Sequence, residues 1–148
     1  MNIRIAKIKD SAQLDLLNEK YFHEQGRDYK EILSDPDNEM YIAEENDKIV
    51  GFSGITKQTW NNTASGINIF VHPDHRRKGI GKNLVEAMIE GAKKMKVRSL
   101  IVEAPSKSSA LPLFLSSGFR KCGYNDRYYS NTGEESAIFL SFDFSEDE

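Results

Sequence analysis

The chain has one cysteine, Cys122, so no intramolecular disulfide can form and nothing in it requires an oxidising compartment. Histidine is almost as scarce: His23, His72 and His75 stand without the ligand spacing of a structural zinc site, and no metal is expected. Met1-Asn2-Ile3-Arg4-Ile5 alternates polar and apolar residues and includes an early charge, and no uninterrupted apolar run resembles a secretory leader or a membrane span. A cytoplasmic protein with no membrane partner is the expectation. An excess of positive charge is missing too: at a formal net charge of -3 the surface as a whole cannot neutralise a nucleic-acid backbone, so no nucleic-acid partner is expected. Any anion must be bound locally. Repeats, low-complexity tracts and Pro/Gly-rich linkers are lacking, and only Ser145-Glu146-Asp147-Glu148 reads as an acidic, disordered tail. Residues 1–144 therefore read as one domain, a monomer or a homodimer.

What is present alternates between strand and helix signals. Ile3, Ile5 and Ile8 suggest a first strand, and Asp10 or Ser11 can cap a helix carrying Leu14, Leu16, Leu17, Tyr21 and Phe22. A short helix is predicted around Asp28 to Leu33, stopped by Asp35-Pro36. Met40 to Ala43 and Ile49 to Ile55 flank the polar Glu45-Asn46-Asp47-Lys48, a hairpin signal. Asn61 to Gly66 reads as a turn before a strand from Ile67 to Val71. The spacing of Ile80, Leu84, Val85, Met88, Ile89, Ala92 and Met95 predicts a long amphipathic helix from about Gly79. Leu100-Ile101-Val102 suits a central strand, Ser108 to Ser117 a short helix closed by Gly118, and Phe119 to Tyr124 and Ala137 to Phe144 two last strands. The sum is an α+β, three-layer fold with a mixed central sheet of about six or seven strands flanked by about four helices.

The segment richest in chemistry is Val71-His72-Pro73-Asp74-His75-Arg76-Arg77-Lys78-Gly79-Ile80-Gly81-Lys82. It joins a strand end to a helix start, where first-turn N–H groups lack carbonyl partners and the helix dipole adds roughly half a positive charge. Gly79 and Gly81 let phosphates approach the backbone, and Arg76, Arg77 and Lys78 offer counter-charge. The alternative is a solvated basic turn ahead of an amphipathic helix. A Walker loop is excluded because Arg76 stands at its first glycine position and Asn83 after Lys82; the dinucleotide fingerprint is excluded by Leu84 at its last glycine.

Arg76-x-x-Gly79-x-Gly81 after Val71-His72-Pro73 resembles the coenzyme A signature Q/R-x-x-G-x-G/A of the GNAT family of N-acetyltransferases. The likeness continues through the long helix, Leu100-Ile101-Val102-Glu103 and Ser117-Gly118-Phe119, and the C-terminal half resembles ribosomal-protein alanine N-acetyltransferases. The resemblance implies a GNAT-like fold and acetyl-coenzyme A as co-substrate. It further implies direct transfer of the acetyl group to a primary amine, on a small molecule or a peptide N-terminus. By position, the amides around Ile69, Phe70 and Val71 would hold the pantetheine arm and thioester carbonyl, and Arg77 to Lys82, with Ile80 between, the pyrophosphate.

Two side chains common in that family are replaced: the usual tyrosine acid by Phe114, and the asparagine opening the same helix by Lys107. That leaves open a non-catalytic acyl-coenzyme A binding or sensing domain. Glu103, at a strand end, is the candidate base or else an exposed carboxylate; burial there would favour its neutral form. Tyr128, in the pair Tyr128-Tyr129, is the candidate acid or else a packing residue. His72 and His75 read as turn residues, His23 as a surface residue of the first helix, Cys122 as a small strand residue, and Trp60 as core or acceptor-cleft lining.

Overall fold

The turn between the first long strands shows how local chemistry sets this architecture. Asn46 and Asp47 hold φ of 52° and 62°, the left-handed values that short polar side chains tolerate and that match the twist of a tight hairpin. They join β2 (Asn38–Glu45) to β3 (Lys48–Gln58) in an antiparallel pair with Glu45 opposite Lys48. The computed structural model describes residues 2–22 and 27–144, which leaves His23 and the acidic tail outside. Its elements are β1 (Asn2–Ile5), α1 (Ser11–Tyr21), α2 (Tyr29–Ser34), β2, β3, β4 (Thr63–Val71), α3 (Ile80–Lys94), β5 (Ser99–Pro105), α4 (Ala110–Ser116), β6 (Arg120–Asn125) and β7 (Ala137–Asp143). The strands form one seven-stranded sheet in the order β1-β2-β3-β4-β5-β7-β6. Among the described residues only the β4/β5 pair, bridged by α3, is parallel, so the expected mixed sheet is present there with four α-helices.

Alternation along the strands divides the core between the faces of the sheet. Ile80, Leu84, Val85, Met88 and Ala92 of α3 pack with Val50, Ile55, Leu100, Val102 and Leu140 on one face. Leu14 and Tyr29 of α1 and α2 pack with Met40, Ile42, Phe52 and Phe70 on the other. Each large apolar side chain so buried contributes about 1.5–3 kcal/mol. Helix α2 starts where predicted because the Asp28 carboxylate accepts the Lys30 and Glu31 amides at 3.0 and 3.3 Å. Pro112 is tolerated in the first turn of α4, where its missing N–H would have had no partner.

Several sequence expectations are corrected. Ile8 lies in a 3-10 turn rather than in β1, because Asp10 accepts the Lys7 amide at 2.8 Å and a bidentate pair of bonds from Arg4 at 2.9 Å each, folding the chain back. Leu16 is 65% exposed and does not join the core. Trp60 sits in the 3-10 turn Thr59–Asn61, 86% exposed, neither core nor cleft. Thr63 to Gly66, read as a turn, belong to β4: Thr63, Ala64 and Ser65 pair with β3 on one side and with Ser99, Leu100 and Ile101 on the other. Sheet pairing overrides their turn propensity.

Strand β4 runs on to Val71 and β5 to Pro105, yet the two pair only as far as Ser65 and Ile101. Beyond that point they diverge into a fork. Gly66 stands at its base, where a Cβ would come 2.9 Å from Val102 Cγ1 and 3.2 Å from Met88 Cε. Those two side chains close the bottom of the fork in the space that a larger residue would take.

Candidate functional site

The fork opens into a cleft with two lobes, of about 380 and 560 Å³, which share Phe22, Ile69, Ser109 and Ala110 as walls. The larger lobe runs along the loop between β4 and α3. Ile69, Phe70, Val71, Arg76, Arg77, Gly79, Ile80, Gly81 and Lys82 all line it, so nine of the ten predicted cofactor residues come together there; Lys78 is exposed and does not line it.

Main-chain geometry explains that convergence. Arg77 and Gly79 hold φ of 65° and 81°, which turns the loop sharply before α3 begins at Ile80. The first bond inside the helix is donated by Asn83 to the Gly79 carbonyl at 3.1 Å. The amides from Gly79 to Lys82 thus have no helical partner and point along the positive end of the dipole. The two glycines serve differently. A Cβ on Gly79 would meet nothing, so that position needs glycine for its backbone angle; a Cβ on Gly81 would lie 3.1 Å from Leu113 Cδ2 and 3.7 Å from Val71 Cγ2, narrowing the lobe. Arg76 does more than offer charge: its Nε donates to the Val71 carbonyl at 3.1 Å and straps the loop to the strand end. His72 holds the loop from behind, its Nδ1 accepting the Asp74 amide at 3.1 Å while Nε2 lies 3.0 Å from the Tyr21 hydroxyl. With Nδ1 accepting, the ring proton sits on Nε2 and is donated to Tyr21.

The smaller lobe passes through the sheet. Gly66, Met88, Val102 and Phe114 line it toward α3 and α4, and Phe22, Asn68, Glu103 and Tyr129 toward α1 and α2. Phe114 is 2% exposed and stacks edge-on with Phe119 at 5.2 Å, so the expected acid position is a sealed apolar wall. Lys107 is exposed, and its amide donates to Glu135 Oε2 at 3.1 Å. Glu103 stands exposed at the mouth rather than buried, and the Tyr129 hydroxyl donates to its Oε2 at 3.5 Å. Burial first, then the negative charges of Glu103 and its neighbours, push the Tyr129 phenol up to about 12. The Glu103 charge, then burial, then a hydrogen bond to Glu103 raise Tyr128.

The predicted pair Glu103 and Tyr128 thus falls in one cluster, but Tyr129 is the phenol on the cleft wall. Tyr128 packs beside it at 5.2 Å and against Phe139 at 5.8 Å. Which of two adjacent tyrosines faces a cleft depends on how the chain leaves β6, which the letters Tyr-Tyr do not encode. Asn68 is a second lining residue that sequence reasoning missed. Cys122 is exposed on β6, outside the cleft. Among the described residues no group of three His, Cys, Asp or Glu side chains is placed to hold a metal ion.

Comparison with known proteins agrees with this geometry. Residues 5–119 match the acetyltransferase (GNAT) family. The ribosomal protein bS18-alanine N-acetyltransferase of Escherichia coli K12 is 36% identical over 84 residues, 55% of this chain and 57% of the relative. The chain therefore spans little more than half the length of that curated relative. The acetyl-coenzyme A complex of a streptothricin acetyltransferase candidate from Bacillus anthracis superposes with a TM-score of 0.74 at 28% identity, over 84% of this chain and 72% of the other. The S18-alanine N-acetyltransferase structure from Escherichia coli shares the fold, with a TM-score of 0.78 at 22% identity over 97% of this chain and 94% of the other.

Proposed function

The chain belongs to the acetyltransferase (GNAT) family, and from that premise we propose that it transfers an acetyl group from acetyl-coenzyme A to a primary amine by direct attack. The observation that carries the reading is the cleft itself: a cradle of unpaired amides at one end, an opening through the sheet at the other, and a shared wall between them. The donor set fits the co-substrate. Unpartnered N–H groups, Gly81 without a Cβ and the cations Arg77 and Lys82 suit two linked phosphates; the splayed edge of β4 at Ile69, Phe70 and Val71 offers main-chain groups to an extended amide arm. A fixed amide donor at the thioester carbonyl would favour the transition state over the ground state, because charge develops on that oxygen only during attack.

The amine enters from the α1/α2 side, where Glu103 accepts a proton from the ammonium, directly or through one water. The freed nitrogen forms the new C–N bond as the C–S bond breaks, and the thiolate takes a proton. Tyr129 supplies it, in the role reserved by sequence for Tyr128, and regains a proton from Glu103 through their hydrogen bond. The nitrogen, still carrying one proton too many for an amide, gives it up to Glu103 once that carboxylate is free again, and from there to solvent. A phenol pushed up to about 12 stays protonated and available at neutral pH. Thiol release from acetyl-coenzyme A with a panel of small amines and peptides with free N-termini tests the reading; rates equal to background hydrolysis with every amine would reject it. The apolar Phe114 supports a second reading, a non-catalytic acyl-coenzyme A sensor, which would bind the co-substrate in a calorimeter and release no thiol. Residues 1–144 as one domain, as monomer or homodimer, in the cytoplasm complete the proposal; among the described residues no helix is long and apolar enough to cross a membrane.

A further inference from the structure

One polar side chain on the cleft wall has no part in the chemistry above. Asn68 projects from the stretch of β4 that has parted from β5 toward α1 and α2, on the same face as Glu103 on β5, so the two frame opposite sides of the opening. Its amide nitrogen donates to the Tyr29 hydroxyl at 3.2 Å. Tyr29 is fully buried, its ring edge-on to Phe52 at 5.9 Å, and its own amide is held by Asp15 Oδ1 at 3.1 Å. The anchor is therefore rigid and fixes the orientation of the Asn68 amide. With the nitrogen committed to Tyr29, the side-chain carbonyl is left as the free end, and Asn68 Oδ1 has no hydrogen-bond donor among the described residues.

A carbonyl oxygen held at one edge of the opening, with a carboxylate at the other, offers two acceptors to whatever nitrogen passes between them. We propose that Asn68 is a specificity-determining residue whose side-chain carbonyl accepts a hydrogen bond from the attacking nitrogen and selects primary over secondary amines; this rests on the acetyl-transfer reading. A primary ammonium has three N–H bonds. It loses one proton to Glu103 and, as the neutral amine, keeps two: one for Asn68 Oδ1, one for a Glu103 oxygen, with the lone pair left facing the thioester. A secondary amine keeps only one N–H after deprotonation. It must leave one acceptor unpaired, and that loss is what discriminates.

The test uses n-butylamine and N-methylbutylamine as nucleophiles, with thiol release as the rate and calorimetry with acetyl-coenzyme A as a separate readout. Wild-type protein is expected to prefer n-butylamine. Asn68→Leu should lower kcat/KM for n-butylamine by about tenfold to a hundredfold, most of it in KM, and narrow the preference between the amines. Its affinity for acetyl-coenzyme A should stay unchanged, which also shows that the variant folds. Asn68→Asp, which keeps an oxygen facing the opening, should restore the preference; a merely structural role predicts no such rescue. In wild-type protein saturated with coenzyme A, n-butylammonium should move the Asn68 side-chain amide signals in a nitrogen-proton NMR spectrum, without any turnover. Failure of acetyl-coenzyme A to bind, or thiol release at the background rate with these two amines and with every amine and peptide of the panel, would overturn the acetyl-transfer reading and this inference with it. Binding and turnover intact, but with unchanged amine kinetics and preference in Asn68→Leu, would overturn the inference alone.

Discussion

The cradle end of the cleft is made of main chain, and the mouth is made of side chains. At the cradle, the proposed recognition would come from amides between Gly79 and Lys82, so the sequence needs particular residues only where the backbone must turn or stay bare. At the mouth, Glu103, Tyr129 and Asn68 come from three separate strands or loops, and their proposed roles would be played by their own side-chain atoms. A side-chain site fails by deletion of an atom. A main-chain site fails by addition of one.

That contrast is broken most severely at the mouth. Glu103→Gln keeps the shape but removes the proposed base, and should lower kcat/KM for the amine by about 10²–10⁴-fold with acetyl-coenzyme A affinity intact, read by steady-state kinetics and calorimetry. Next, Tyr129→Phe should slow kcat by about tenfold or more while Tyr128→Phe stays within a few-fold, since only Tyr129 lines the cleft. Equal losses in both would return the acid role to the pair. At the cradle the deficit should reverse in kind: Gly81→Phe adds atoms against Leu113 and should weaken acetyl-coenzyme A binding by about tenfold or more, with a stability loss of about 1–3 kcal/mol by urea denaturation.

Two smaller effects concern pH. A Tyr129 phenol pushed up to about 12 predicts that kcat has no falling limb from this group up to pH 10; a limb abolished by Tyr129→Phe would contradict the assignment. Far from the cleft, hydrogen bonds from Arg120, then Ser141 and Ser99, lower Asp143 to about 2 from an ordinary value of 3.8. A lowered carboxyl stabilises the fold above its unfolded value and loses that contribution as pH falls from about 4 toward 2. Because Arg120 and Asp143 are well exposed, high salt should shrink the difference between wild type and Asp143→Asn in acid denaturation.

How much of this was legible follows from the same contrast. Gly79, Gly81 and the start of α3 could be read because glycine spacing and helical periodicity are local properties, as are the Asp28 cap and the Asn46-Asp47 turn. Thr63 to Gly66 looked like a turn because their strand character comes from pairing, all four with β3 and Thr63 to Ser65 also with the distant Ser99 to Ile101. Ile8 left its strand because Arg4 and Asp10 meet across a bend. Asn68 carried no signal at all: its orientation is set by Tyr29, which lies on the other side of β2 and β3 in sequence.

The central claim is that main-chain amides at the base of α3, with the free edge of β4, hold acetyl-coenzyme A. Titration of the co-substrate followed by nitrogen-proton NMR tests it most directly. The account predicts saturable shifts for the amides of Gly79, Ile80, Gly81 and Lys82 together with Ile69, Phe70 and Val71. Saturable binding that moves other amides and leaves these still would contradict it.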